Sequence, residues 1–132
     1  MARAWGEEMN AADRLRVVLA WGFVFGALSH IGWVIYHGDI WYRGPAPSWA
    51  PWFWYAICAV DLVVFWQLLA RPRTGLVLSL VTMTTTLVVN WTQFPTFEFG
   101  FNYVLVGLTA FGLLVFAMFA WLWSASRWRL RG

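Results

Sequence analysis

Residues 49–70 read WAPWFWYAICAVDLVVFWQLLA, a run long enough to cross a bilayer, for which roughly 20 mostly apolar residues are needed. It carries one acidic residue, Asp61, near its midpoint. An ionisable side chain at that depth costs at least a few kcal/mol by insertion scales, on the order of 3, so it rarely faces lipid. It needs a partner, a proton or a water-filled cavity. The function of the chain turns on which of these the remaining sequence supplies.

Three other runs match the first in length and character, at about 16–36, 75–93 and 101–123. With 61% hydrophobic and only 11% charged residues in 132, no helix has the polar outer face that a soluble helical core requires. The fold expected is therefore all-α, a polytopic membrane four-helix bundle. Residues 1–15 form an amino-terminal segment, 16–123 the four-span domain, and 124–132 a basic tail. The first run continues past Ser29 and His30 without a small-residue cleavage pattern, and is read as a retained helix rather than a signal peptide.

All nine basic residues are arginines, and their positions carry topology rather than a nucleic-acid footprint. Arg3, Arg14 and Arg16 precede the first span, Arg71 and Arg73 fill the second connection, and Arg127, Arg129 and Arg131 follow the fourth span. Only Arg43 lies in the first or third connection. The positive-inside rule then places both termini in the cytoplasm, and the bias argues against dual-topology exporters and fluoride channels. An integral protein of a bacterial inner membrane is the localisation expected. The single cysteine, Cys58, lies within a span and reads as a small packing residue.

Polar residues within the spans are few. In the first, Gly22, Gly26 and His30 recur every four residues and share a face. Small residues at that spacing admit a neighbouring helix, and the stripe leads to His30, roughly 20 Å from the cytoplasmic end. His37 follows on the same face at the boundary. His30 reads either as a polar group bridging two helices or as a ligand-contacting or proton-handling residue. The first outward loop, HGDIWYRGPAPSWAPWFW, is broken by Gly44, Pro45, Pro47 and Pro51 and crowded with Trp41, Tyr42, Trp49, Trp52 and Trp54. It reads as an aromatic belt or as a lid over a cavity.

In the second span Trp54, Cys58, Asp61 and Phe65 share a stripe, with Asp61 roughly 14 Å from the cytoplasmic end. ARPRTG follows as a short turn, Pro72 stopping one helix and Gly75 starting the next. The third span is the most polar: Gly75, Ser79, Thr82, Thr86, Asn90 and Gln93 repeat at three- and four-residue intervals. Hydroxyls there bond back to their own helix readily and mean little alone. Asn90 is costlier to bury and lies roughly 22 Å up, level with His30. Glu98 and Asn102 stand at the outer mouth, and Gly107, Thr109 and Gly112 offer close-approach points on the fourth span. Asn10 or Asp13 is available to cap a first helix.

No nucleophile elbow, phosphate-cradling glycine loop, cysteine pair or HExxH is present, so no catalytic motif is assigned. Three patches together resemble the EXPERA family, which includes the sigma-2 receptor and the emopamil-binding sterol isomerase. LSHIGWVIY resembles the histidine-bearing first helix of that family, WFWYAICAVDLVVFWQLL its aromatic start and central acid, and MTTTLVVN its Met-Thr-Thr stretch. The resemblance implies a four-span fold and an intramembrane ligand site with Asp61 at the acidic place. Val34 stands where the isomerase pattern has a second acid, Gln67-Leu68 where a proline is expected, and Val81-Thr82 where a histidine precedes Met-Thr-Thr. Isomerase acid–base chemistry is accordingly not implied.

Four functions follow. The first is binding of a sterol-like, lipid or amphiphilic amine ligand, anchored by Asp61 with His30, Asn90, Thr86, Trp54 and Trp33 around it. The second is a non-enzymatic accessory subunit of a larger membrane complex, against which an isolated homodimer, the other assembly expected, would count. The third is pigment or haem binding, with His30 as axial ligand and Gly26 leaving room for a tetrapyrrole. Transport ranks last for want of repeats or broken helices. No resident cofactor or metal is expected under the first reading; its partners are membrane lipids and a hydrophobic small molecule.

Overall fold

The computed structural model of the chain describes residues 10–37, 47–93 and 103–128, with the side chains of residues 33, 34, 37, 103, 104, 127 and 128 left out. These residues form α1 (Ala11–His37), α2 (Ala50–Ala70), α3 (Pro72–Gln93) and α4 (Tyr103–Trp128). Each contains a stretch long and apolar enough to cross a membrane, and no strand occurs among the described residues. The fold is the all-α four-helix bundle expected. Phe25, Ile35, Tyr36 and Trp52, each more than 70% exposed, point away from the bundle. Such a surface suits lipid and not water. The chain is an integral membrane protein.

The helix ends follow from local chemistry. Asn10 caps α1: its Oδ1 accepts from the Asp13 N–H at 2.9 Å, and its backbone carbonyl accepts from the Arg14 N–H at 3.1 Å. Asp13 lies in the first turn, where the helix dipole favours an anion, and accepts from Arg16 Nη1 at 2.8 Å. This cap lets α1 begin at Ala11, ahead of the boundary expected at position 16. Pro72 plays a different part from the one expected. Arg71 alone breaks the path between α2 and α3, at φ −137° and ψ 79°, and Pro72 opens α3 rather than merely ending α2. Its fixed φ and missing N–H suit a first helical position.

Gly75 is then free for packing. A Cβ there would run into the backbone of Leu68, so α2 and α3 cross in direct contact near their joined ends. Gly22 faces the Phe111 ring, and Gly112 faces Leu87 and Met83. Gly107, expected as a close-approach point, has nothing within 4 Å. The sequential pairs α1–α2, α2–α3 and α3–α4 pack extensively, while α1 and α4 touch less. The Phe23 and Phe111 rings, 5.3 Å apart and edge to face, are part of that smaller contact.

The apolar core is not centred. Leu19, Ala20, Phe23, Val64, Leu68, Leu76, Met83, Val115 and Leu122 form one cluster, weighted toward the end that holds Arg16, Arg71 and Arg73 and reaching the middle of α3 at Met83. Buried polar side chains occur along the whole bundle, Asp13 and Ser79 toward the arginine end and Asp61, Thr82, Thr86 and Gln93 further from it, the latter among the buried apolar Ala27, Ala50, Trp54, Ile57 and Leu105.

Candidate functional site

α2 buries Ala50, Pro51, Trp54, Ile57, Asp61, Val64 and Leu68, three and four residues apart, on one stripe turned toward its neighbours. Asp61 occupies that stripe because its spacing from Ile57 and Val64 leaves it no other face. It is 7% exposed. On α1 it faces Gly26, where an added Cβ would lie 3.0 Å from Asp61 Oδ2. The missing side chain of Gly26 is thus the space into which the carboxylate fits. Neither a hydrogen bond nor an ion pair reaches Asp61 from the described residues.

The depth of the other polar groups follows from the helix crossing at Gly75 and Leu68. Counting equally along the antiparallel pair, Asp61 and Thr82 lie at one depth, roughly 10 Å from the crossing, and Ile57 and Thr86 one turn further. On α1, His30 lies one turn beyond Gly26, at the second of these depths. The stripe foreseen on α3 does turn inward: Gly75, Ser79, Thr82, Thr86 and Gln93 are buried, and Asn90 is half-buried.

Their hydrogen bonding separates them. Ser79 donates to the Leu76 carbonyl at 2.8 Å, and Asn90 Nδ2 to the Thr86 carbonyl at 2.8 Å. Exposed Thr84 and Thr85 donate to Leu80 and Val81, at 2.8 and 2.9 Å. The buried Thr86 hydroxyl, on a residue 6% exposed, has no partner among the described residues. A buried polar group left unpaired costs about 1–3 kcal/mol, so one beside a buried carboxylate's depth is informative. Trp54 is buried, and its carbonyl accepts the Cys58 thiol at 3.3 Å.

The predicted residues therefore divide. Asp61, Thr86 and Trp54 are buried in the bundle; His30 and Asn90 are half-buried beside it. The side chains of Trp33, Val34 and His37 lie outside the described residues, as do Glu98, Asn102 and the loop around Arg43 read as a belt or lid. No group of three metal-ligating side chains occurs among the described residues. The room that Gly26 offered a tetrapyrrole holds the Asp61 carboxylate.

Two features escaped the sequence reading. Trp91 Nε1 donates to Thr109 Oγ1 at 3.1 Å, tying α3 to α4, while Thr109 itself donates to the Leu105 carbonyl at 2.7 Å. At the opposite end, a cavity of about 10 Å³ is lined by Asp13 and Arg16 of α1, Pro72 and Leu76 of α3, and Leu122 and Ser126 of α4. The Arg73 guanidinium sits over the Trp123 ring, 5.8 Å from its centre.

Fold and site define a four-helix integral membrane protein with an acid, Asp61, buried between its first two helices and paired by no described residue. No protein-family model, curated protein or solved structure matches the chain.

Proposed function

We propose that the chain binds an amphiphilic molecule within the membrane, with a cationic amine head held at Asp61 and an apolar, sterol-like or lipid body beside it. The observation that carries this reading is a carboxylate 7% exposed, at membrane depth, with no donor or cation among the described residues. A buried charge is stable only when paired, and removing it from water costs several kcal/mol, of order 3 or more. A ligand cation supplies the missing partner. The unpartnered Thr86 hydroxyl, one turn away in depth, offers a second polar contact. An apolar site with one or two fixed polar groups suffices for recognition. The EXPERA-like placement of the acid supports the same reading, and the protein would then sit in a bacterial inner membrane with both termini cytoplasmic.

The test compares a long-chain primary amine with the alcohol of equal chain length, each titrated into purified wild type and Asp61→Asn while the unfolding midpoint is followed. The amine should stabilise the wild type and not the variant, and the alcohol should affect both alike. Equal stabilisation of Asp61→Asn by the amine would overturn the assignment. Size-exclusion behaviour and helical circular dichroism confirm that the variant is folded.

A second reading, an accessory subunit docked on other helices, draws on Gly32 and Gly107, both open to the outside with nothing within 4 Å. Positions of that kind let a foreign helix approach closely. Stoichiometric co-purification of a second membrane protein in mild detergent would favour it.

A further inference from the structure

The arginine end of the bundle carries a feature independent of Asp61. Arg14, Arg16, Arg71 and Arg73 are described there, and Asp13 is the one described acid at that end. Asp13 engages Arg16 through Nη1 at 2.8 Å, while Arg16 Nε is buried and has no acceptor among the described residues. Arg73 is in the same condition, its Nε buried without an acceptor and its guanidinium over Trp123. Arg16 lines one small cavity between the first turns of α1, the start of α3 and the last turns of α4. Arg73 does not line it but stands over Trp123, each of the two following a residue of the lining, Pro72 and Leu122.

We propose that this end binds a phosphate-bearing anion across the mouth of that cavity. The chemistry selects phosphate. A guanidinium presents parallel N–H donors that match two oxygens of one phosphate, and Arg16 and Arg73 each have a donor to spare. The start of α3 adds the positive end of a helix dipole and backbone N–H groups of its first turn, which lack partners within the helix. Arg71, exposed and next to Pro72, adds charge at the rim. The cavity itself, at about 10 Å³, holds no more than one water, so the anion lies outside it and the arginine heads turn to meet it. At this height in the bundle the phosphate of an anionic lipid is the nearest source, and free phosphate is the other. Basic clusters between membrane helices attract such head groups.

The experiment is native mass spectrometry of the full chain in mild detergent, titrated with phosphatidylglycerol or phosphatidylcholine. A parallel series follows the unfolding midpoint in inorganic phosphate against chloride of equal ionic strength. Wild type should retain phosphatidylglycerol in preference to phosphatidylcholine, and Arg73→Gln should weaken that retention about fivefold. Arg73→Lys, which keeps the charge and loses the fork, should fall between. Arg131→Gln removes the same charge from the tail and should change nothing. Stabilisation by inorganic phosphate as well as by the lipid identifies the phosphate group alone as the ligand; stabilisation by the lipid only identifies the head group in its membrane setting. Equal weakening by Arg131→Gln would reduce the effect to diffuse surface charge and overturn the proposal, as would indifference to both anions. Arg16→Gln, judged beside Arg73→Gln, guards against a variant that simply fails to fold. Asp61→Asn should bind phosphatidylglycerol as the wild type does, so the two proposals stand or fall separately.

Discussion

Among the threonines of α3, position alone separates a satisfied hydroxyl from an orphan. Thr85 bonds back to Val81 and faces outward, while Thr86, the next residue, is buried without a partner. Valine resembles threonine in size and lacks the hydroxyl. Thr86→Val should therefore stabilise the ligand-free protein by about 1 kcal/mol in reversible unfolding, because an orphaned polar group is removed. Thr85→Val should leave stability within about 0.5 kcal/mol. A clear loss in Thr86→Val would mean that the hydroxyl has a partner in the membrane. Gly26→Ala tests the neighbouring geometry. Its Cβ would sit 3.0 Å from Asp61 Oδ2, so the carboxylate must give by a few tenths of an ångström. Amine binding should weaken, by less than in Asp61→Asn. The inward stripe of α3 was legible in the sequence as a spacing. Which hydroxyl on it lacks a partner was not, because every threonine looks alike until its rotamer and neighbours are known.

At the scale of the helix, glycine has two opposite meanings in this chain. Alanine is favoured over glycine within a helix by up to about 1 kcal/mol. At Gly107, with nothing within 4 Å, that preference acts unopposed, and Gly107→Ala should leave stability equal or higher. At Gly75 the added methyl meets the Leu68 backbone, which cannot rotate aside as a side chain would. Overpacking of this kind costs about 1–3 kcal/mol and outweighs the propensity gain. Gly75→Ala should lower the unfolding midpoint in a denaturing detergent titration. Equal midpoints for the two variants would show that the α2–α3 crossing is looser than described. On sequence grounds Gly107 was the candidate for close approach, and Gly75 only the start of the third span and a member of its polar stripe. Only the crossing angle and register of the helices distinguish them, and neither is written in a local spacing.

For the whole molecule, the distribution of arginines predicts one orientation. Arg16, Arg71 and Arg73 share an end of the bundle with the last turns of α4, where the cavity brings three helices together. Positive charge is retained on the cytoplasmic side. With Cys58 replaced by alanine, a cysteine at exposed Ser48 should react with a membrane-impermeant maleimide on intact cells. One at exposed Thr74, in the opposite end, should react only after permeabilisation. The reverse pattern would invert the topology and place the phosphate-binding end outside.

Length and apolarity by themselves determined that four helices cross a membrane, since a backbone in lipid must satisfy its own hydrogen bonds and a helix is the short way to do so. Spacing on the second span put Asp61 on one stripe with Trp54, Cys58 and Phe65; in the structure Trp54 and Asp61 are buried with Ile57 and Val64, and Cys58 and Phe65 are half-buried beside them. Tertiary structure decided the rest: that Gly26 and not another small residue makes room for the carboxylate, that Pro72 begins a helix, and that Gly107 packs against nothing. It alone revealed that Arg16 and Arg73 carry donors without acceptors. Periodicity records which residues of one helix lie side by side. Depth, crossing and the unpaired atoms arise only where two helices meet.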